Sequence, residues 1–227
     1  MKNLAIIPAR SGSKGLPDKN IIPVNGTPLM GYSIKAALDS GCFTHVMVST
    51  DSEHYADVAK ECGAEVPFLR SAENSSDTAG SWGVVREVLK KYGDKGETFD
   101  YVCLLQPTSP LRMAEDIQEA FKLLEERQAG SVVSVTETGH PVQWCFPLDK
   151  TLSMDTYAKQ SMTAIRRQDL EPYFQLNGAI YIAKAEKLMN PDYNLYADNC
   201  LAYKMPRERS VDIDSELDLR VVESLMK

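Results

Sequence analysis

Short apolar runs and amphipathic stretches alternate along the chain, and their periods assign most of its elements. The run "NLAIIP" (3–8) is β-rich and too short for a helix. "HVMVST" (45–50), "YVCLLQ" (101–106), "SVVSV" (131–135) and "NGAIYIA" (177–183) have the same form, with "EVPFL" (65–69) and "LAYKM" (201–205) as further strands. Between them the period becomes helical. In "NGTPLMGYSIKAALDSG" the Asn25-Gly26 pair predicts a turn, Thr27 an N-cap and Pro28 the first helical position. Met30, Ile34, Ala37 and Leu38 then fall on one helical face. Helices are also predicted over 52–62, around Val85, Val88 and Leu89, around Ile117, Phe121 and Leu124, and over 215–226.

Strands alternating with helices are the mark of βαβ units. They predict an α/β chain, Rossmann-like and doubly wound on a mostly parallel sheet. The continuous apolar run 101–106 suits a central strand buried on both faces. Ligands of such sheets bind beyond the carboxyl ends of the strands. The connections 8–20, 50–51, 70–81 and 106–112 are therefore expected to converge on one rim. The rhythm breaks at 138–175, which holds Trp144 and several other aromatics but no clean period. A long irregular excursion from a compact domain commonly has a functional task. The predicted organisation is a core of 1–137 and 176–227 with an arm at 138–175.

Composition narrows the classes of function. With 227 residues, 43% of them hydrophobic, the chain can build one large core without disulfide staples. The net charge of −7 argues against nucleic acid or an anionic membrane as partner, so any anion site must be a local basic cluster. The five cysteines are odd in number and form no CxxC, which predicts a reduced protein without structural zinc. The N-terminal apolar run is too short for a signal peptide or membrane span, and Pro8 interrupts it. A soluble, cytoplasmic chain is expected.

Such a basic cluster stands directly behind the first strand. "IIPARSGSKGLPDKN" carries Arg10, Lys14 and Lys19 in a loop with Ser11, Gly12, Ser13 and Gly15. Glycine admits close approach of a ligand, backbone N–H groups cradle phosphate oxygens, and the cations neutralise them. Neither GxxxxGK[ST] nor GxGxxG is present, and a solvated loop fits the residues equally well. "LQPTSPLR" (105–112) ends the central strand, with Gln106 offering a donor and an acceptor and Thr108 and Ser109 placed for binding or for capping. In "VDIDSELD", Asp212 and Asp214 fall on one side of an extended backbone, as two hard ligands for Mg²⁺ would. Ser215 and Asp218 form a capping box there, which leaves both carboxylates free. The three histidines are expected at the surface, and no GxSxG or HExxH motif supports a hydrolase. "RRQ" (166–168) is a second basic spot, suited to a carboxylate.

The order of these segments is more specific than any one of them. "IIPARSGSKGLPDKN", "VSTDS", "LRSAENSSDTAGS", "LLQPTSPLR", "RRQ…NGAIYI" and "SVDIDSELDL" together closely resemble the acylneuraminate cytidylyltransferase family, the CMP-sialic acid synthetases. The resemblance runs from residue 4 to about 225. It implies a nucleotidyltransferase fold that transfers CMP from CTP to a nine-carbon 2-keto sugar acid and releases pyrophosphate. Carried over by position, Arg10, Lys14 and Lys19 would hold the triphosphate with Ser11, while Asn20, Arg70, Ala79 and Ser81 would recognise the cytidine. Gln106, Thr108, Ser109 and Tyr181 would hold the sugar, and Asp212 and Asp214 would bind Mg²⁺. The arm would dimerise the chain and send Arg167 to the partner's sugar carboxylate. Gln143 and Gln175 depart from the basic residues of some sialate-using members, so legionaminic and pseudaminic acids stand beside sialic acid as acceptors. The alternatives are a 3-deoxy-octulosonate cytidylyltransferase and a non-catalytic nucleotide or sugar sensor.

Overall fold

The structure is a computed structural model that describes residues 1–13, 15–76, 79–159, 166 and 169–226. In chain order its strands and helices are β1 (Asn3–Pro8), β2 (Pro23–Val24), β3 (Thr27–Pro28), α1 (Leu29–Ser40), β4 (His45–Ser49) and α2 (Glu53–Glu61). They continue with α3 (Ser81–Gly93), β5 (Tyr101–Leu104), α4 (Ala114–Glu126), β6 (Ser131–Glu137) and α5 (Asp155–Lys159). The last are β7 (Phe174–Lys184), α6 (Ala185–Leu188), β8 (Cys200–Lys204) and α7 (Glu216–Leu225).

Six strands form the main sheet in the order β4-β1-β5-β7-β6-β8. β1 pairs in parallel with β4 and β5, and β6 with β8, whereas β7 is antiparallel to both of its neighbours. Alternate residues feed two cores. Ala5, Ile7 and Cys103 face the layer holding α1 and α4, and Leu4, Ile6, Val102 and Leu104 face α3 and α6. This two-sided burial explains why β1 and β5 read as unbroken apolar runs. A third cluster joins Leu16, Val24 and Leu29 to Ile213 and Val222, so the first loop and the last helix share a core. No helix among the described residues is long and apolar enough to cross a membrane.

Several sequence expectations are corrected. Residues 65–69 form no strand: Glu65 makes one bridge to Met47, after which Pro67, lacking an N–H, lies exposed. Thr27 is not an N-cap. Asn25 (φ 47°) and Gly26 (φ 84°) close a tight hairpin that pairs Thr27 with Val24 and Pro28 with Pro23, and α1 begins at Leu29. β5 is central and buried, but one of its neighbours is antiparallel. β7 starts at Phe174, before the predicted 177, because Phe174, Gln175 and Leu176 pair with Glu137, Thr136 and Val135. His45 is only part-exposed. Its ring nitrogens face Glu65 (2.9 Å) and Glu97 (3.2 Å).

Candidate active site

Three of the four expected loops, 8–20, 70–81 and 106–112, line one cavity together with the Asp212–Asp214 segment, whereas 50–51 lies behind it, where Asp51 holds Ser11. Arg10, Lys19, Asn20, Arg70, Ala79, Ser81, Gln106, Thr108, Asp212 and Asp214 all line a single cavity of about 470 Å³, a size suited to a small-molecule ligand. Pro8 and Pro107 line it at the ends of β1 and β5. The approach to α7 completes it from the far end of the chain.

The first loop is held at both ends by acids. The Ser11 N–H and hydroxyl donate to the Asp51 carboxylate at 2.8 and 2.9 Å. Asp18, in the left-handed region at φ 52°, accepts from the buried Tyr55 hydroxyl at 3.0 Å. Asn20 is buried and its amide donates to the Arg10 carbonyl at 3.0 Å. Gly15 allows a close approach: a Cβ there would lie 3.0 Å from the Asp214 carbonyl oxygen. Across that contact the Lys19 ammonium donates to the Ile213 carbonyl and to Asp214, each at 2.9 Å. Asp214 is therefore not free, contrary to the sequence expectation. The capping box at Ser215 and Asp218 is present as expected.

Arg70 is 9% exposed. Its Nε donates to the Ser49 hydroxyl at 3.1 Å and its Nη2 to the Ser49 carbonyl, while its amide N–H donates to the Thr50 carbonyl at 2.7 Å. Burial lowers its pKa to about 10, against the favourable charges of Asp51 and Glu87 and together with the nearby charge of Arg10. Two arginines thus converge on the cavity with two carboxylates behind them.

On the opposite wall Asp212 remains open to the cavity, yet desolvation by the walls raises its carboxyl above the ordinary range. Its hydrogen bond with Thr108 and the charge of Lys19 oppose that rise, and the charge of Asp214 adds to it. The Thr108 carbonyl accepts from the Ile213 N–H at 2.8 Å, which fixes the 106–112 loop to the aspartate segment. Among the described residues no group of three or more His, Cys, Asp or Glu side chains could hold a metal ion. The chemistry of the pair still fits Mg²⁺, which is commonly bound by one or two carboxylates and completed by substrate phosphates and water. A cation would also relieve the like charges.

Other expected site residues fall elsewhere. Lys14 and Arg167 lie outside the described residues. Ser11 faces Asp51 and does not line the cavity. Ser109 is fully buried, and its hydroxyl donates to the Asn177 carbonyl at 3.4 Å, a packing contact. Tyr181 stands on β7 against Trp82, ring centroids 6.1 Å apart, outside the cavity lining. Burial raises its hydroxyl, and the charges of Tyr196 and Asp212 raise it further.

Sequence reasoning gave no role to Asp51, Glu87 or Arg112. Arg112 is 2% exposed and donates to the Gln106 carbonyl at 3.3 Å and the Ala179 carbonyl at 2.9 Å, tying the loop to β7. A charged residue after Pro-Leu reads locally as solvated, so nothing short-range marks it. Asp51 could have been found as an acid at a strand's carboxyl end.

The fold is of the nucleotidyltransferase class. The structure is similar to CMP:2-keto-3-deoxy-manno-octonic acid synthetase in complex with CTP, with a TM-score of 0.74, 17% identity, and coverage of 100% of this chain and 98% of that one. It is also similar to 4-diphosphocytidyl-2C-methyl-D-erythritol synthase, with a TM-score of 0.69, 14% identity and the same coverage. At these identities the likeness concerns the fold alone. The chain itself belongs to the cytidylyltransferase family, whose sequence profile matches residues 4–216. It is 38% identical to the CMP-N,N'-diacetyllegionaminic acid synthase of Legionella pneumophila, covering 100% of this chain and 97% of that protein. It is 34% identical to the pseudaminic acid cytidylyltransferase of Campylobacter jejuni, with the same coverage. Against the N-acylneuraminate cytidylyltransferase of Streptococcus agalactiae it is 40% identical, over 96% of this chain and 52% of that protein.

Proposed function

We propose that the chain transfers CMP from CTP to the anomeric hydroxyl of a nine-carbon 2-keto sugar acid, releasing pyrophosphate. The observation that carries this reading is the cavity itself. Arg10, Lys19 and Arg70 line it together with the Asp212 and Asp214 carboxylates, with Gln106 among them. The three relatives compared above are named for legionaminate, pseudaminate and N-acylneuraminate, which makes sialic acid or a close relative the acceptor class.

The hydroxyl gives its proton to a carboxylate of the Asp212 and Asp214 pair and attacks the α-phosphorus in line, and the bond to pyrophosphate breaks. Arg10, Lys14 and Lys19 neutralise the leaving pyrophosphate. Lys19 spends two of its three donors on Ile213 and Asp214, which leaves one for a phosphate oxygen. Asn20, Arg70, Ala79 and Ser81 hold the cytidine, and Gln106 and Thr108 meet the sugar. Asp212 and Asp214 would hold Mg²⁺, which would supply Lewis-acid chemistry, drawing charge from the α-phosphate and lowering the pKa of the attacking hydroxyl. Positioning and charge neutralisation supply most of the acceleration in transfers of this kind.

The 138–175 segment serves this reaction as a dimerisation arm in the cytoplasmic homodimer we propose. Its support is exposed apolar surface: Leu148 is 57% exposed, Leu152 71% and Met154 52%. Within that dimer Arg167 reaches the neighbour's sugar carboxylate. All five cysteines are free, as a reducing compartment requires.

The test is pyrophosphate release from CTP and Mg²⁺ across N-acetylneuraminate, legionaminate, pseudaminate and 3-deoxy-octulosonate. Turnover with a nine-carbon acid is the expected result. Release with the eight-carbon acid alone, or CTP binding without release, would overturn it.

A further inference from the structure

The segment 69–76, which gives Arg70 to the cavity wall, forms no strand, only coil and the single helical turn Glu73–Ser75. One carboxylate on α3 supplies what a ladder would. Glu87 Oε1 accepts from the Ser71 N–H at 2.8 Å and from Lys91 at 2.6 Å, and Oε2 accepts from the Ser71 hydroxyl at 2.8 Å and Asn74 at 2.5 Å. Lys91 also donates to the Leu69 carbonyl at 2.7 Å. The neighbours of Arg70 on both sides are thereby tied to one helix. That helix begins at Ser81, itself a cavity residue, and the wall's Ser75 carbonyl accepts from Arg10 at 3.5 Å. Glu87 is nearly enclosed, its side chain 12% exposed, and does not line the cavity.

We propose that Glu87 is a positioning residue for the nucleotide half of the site: through Ser71, Asn74 and Lys91 it sets the wall that carries Arg70. The proposal rests on the cavity being a CTP site. A wall tied this way is ordered before CTP arrives, so binding does not have to fix its backbone, and that ordering cost is what preorganisation removes. The carboxylate must be ionised to accept from every one of these donors. They keep it so, outweighing a burial that alone would raise its pKa.

Glu87→Gln tests the proposal, because the amide keeps the shape and turns one acceptor into a donor facing donors. Ser71→Ala is the milder companion: it removes one tie to Glu87, and the two contacts the hydroxyl accepts from Asn74, without altering the helix. CTP affinity is read by calorimetry without sugar, and KM for each substrate and kcat by pyrophosphate release. The expected result is CTP binding weakened about tenfold in Glu87→Gln and a few-fold in Ser71→Ala, with sugar KM and kcat at saturation changed less than about threefold. Unchanged CTP affinity in both variants would overturn the positioning role. So would equal losses in both substrates and kcat that track a lowered Tm, the signature of a merely structural residue. A wild-type protein that binds CTP without turnover would sink the proposed reaction but leave the calorimetric test of Glu87 standing. Absence of CTP binding in the wild type would overturn both.

Discussion

Lys19 and Asp214, 195 positions apart in the chain, meet at 2.9 Å across the mouth of the cavity. Lys19 is 15% exposed and Asp214 77%, so a largely enclosed ammonium orients an accessible carboxylate. The contact joins the first loop to the segment that leads into α7, and a change at one end is felt at the other.

Asp214→Ala should therefore separate binding from chemistry. We expect kcat to fall at least about a hundredfold, the scale on which electrostatic groups acting on the transition state are lost. CTP affinity, measured by calorimetry, should stay within about threefold because Lys19 is released toward the phosphates. Turnover surviving with Mg²⁺ would refute the metal assignment.

Gly178→Ala should act on the sugar side. Gly178 has φ +75°, and an added Cβ would lie 2.7 Å from the Gln106 side-chain oxygen. The left-handed backbone costs a non-glycine residue about 1–2 kcal/mol. The displaced amide should raise KM for the sugar acid several-fold while KM for CTP is held. Chemical denaturation and a two-substrate kinetic matrix check both parts, and an unmoved sugar KM would show that Gln106 does not contact the acceptor.

The stability of the chain should carry an acid limb that depends on Glu87. Burial pushes this carboxyl up, but the hydrogen bonds from Lys91, Ser71 and Asn74 win and hold it at about 2, against 4.5 when unperturbed. A lowered pKa means that the ionised form stabilises the fold above pH 4.5 and that this stabilisation is lost as pH falls toward 2. Its size is on the order of 3 kcal/mol at neutral pH, from about 1.4 kcal/mol for each tenfold change in proton affinity. Wild type and Glu87→Gln should differ in denaturant stability at pH 7 and converge only as pH falls toward 2. Parallel curves would contradict the assignment.

The arm predicts a concentration-dependent phenotype. Leu148→Glu with Leu152→Glu places two charges on exposed apolar surface, at 57% and 71% exposure, so a free monomer should tolerate them. A dimer should dissociate, seen by sedimentation velocity, and KM for the sugar should rise at least about tenfold as the neighbour's contribution is lost. An unchanged sedimentation coefficient together with unchanged KM would exclude the arm from the site.

Much of this architecture was legible locally. β1, β4, β5 and β6 announced themselves as apolar runs, and α2, α3, α4 and α7 were read as helices, the last from its Ser215 capping box. The misreadings were tertiary in origin. Residues 65–69 have strand composition but leave the edge of β4 after one bridge, and Thr27 was drawn from a cap into a hairpin by the turn before it. In the site, cations and paired aspartates stood out by chemistry, whereas Asp51, Glu87 and Arg112 looked like ordinary solvated charges.

Sequence alone determined most of the elements, the family frame and the chemical character of each loop, because side-chain period and local turn chemistry act over a few residues. Only the tertiary structure decided which charges meet. The antiparallel insertion of β7 between β5 and β6, the closing of Lys19 on Asp214 and the gathering of Ser71, Asn74 and Lys91 on Glu87 depend on backbone pairing and packing between distant segments. Contacts of that kind leave no periodic trace in the chain that makes them.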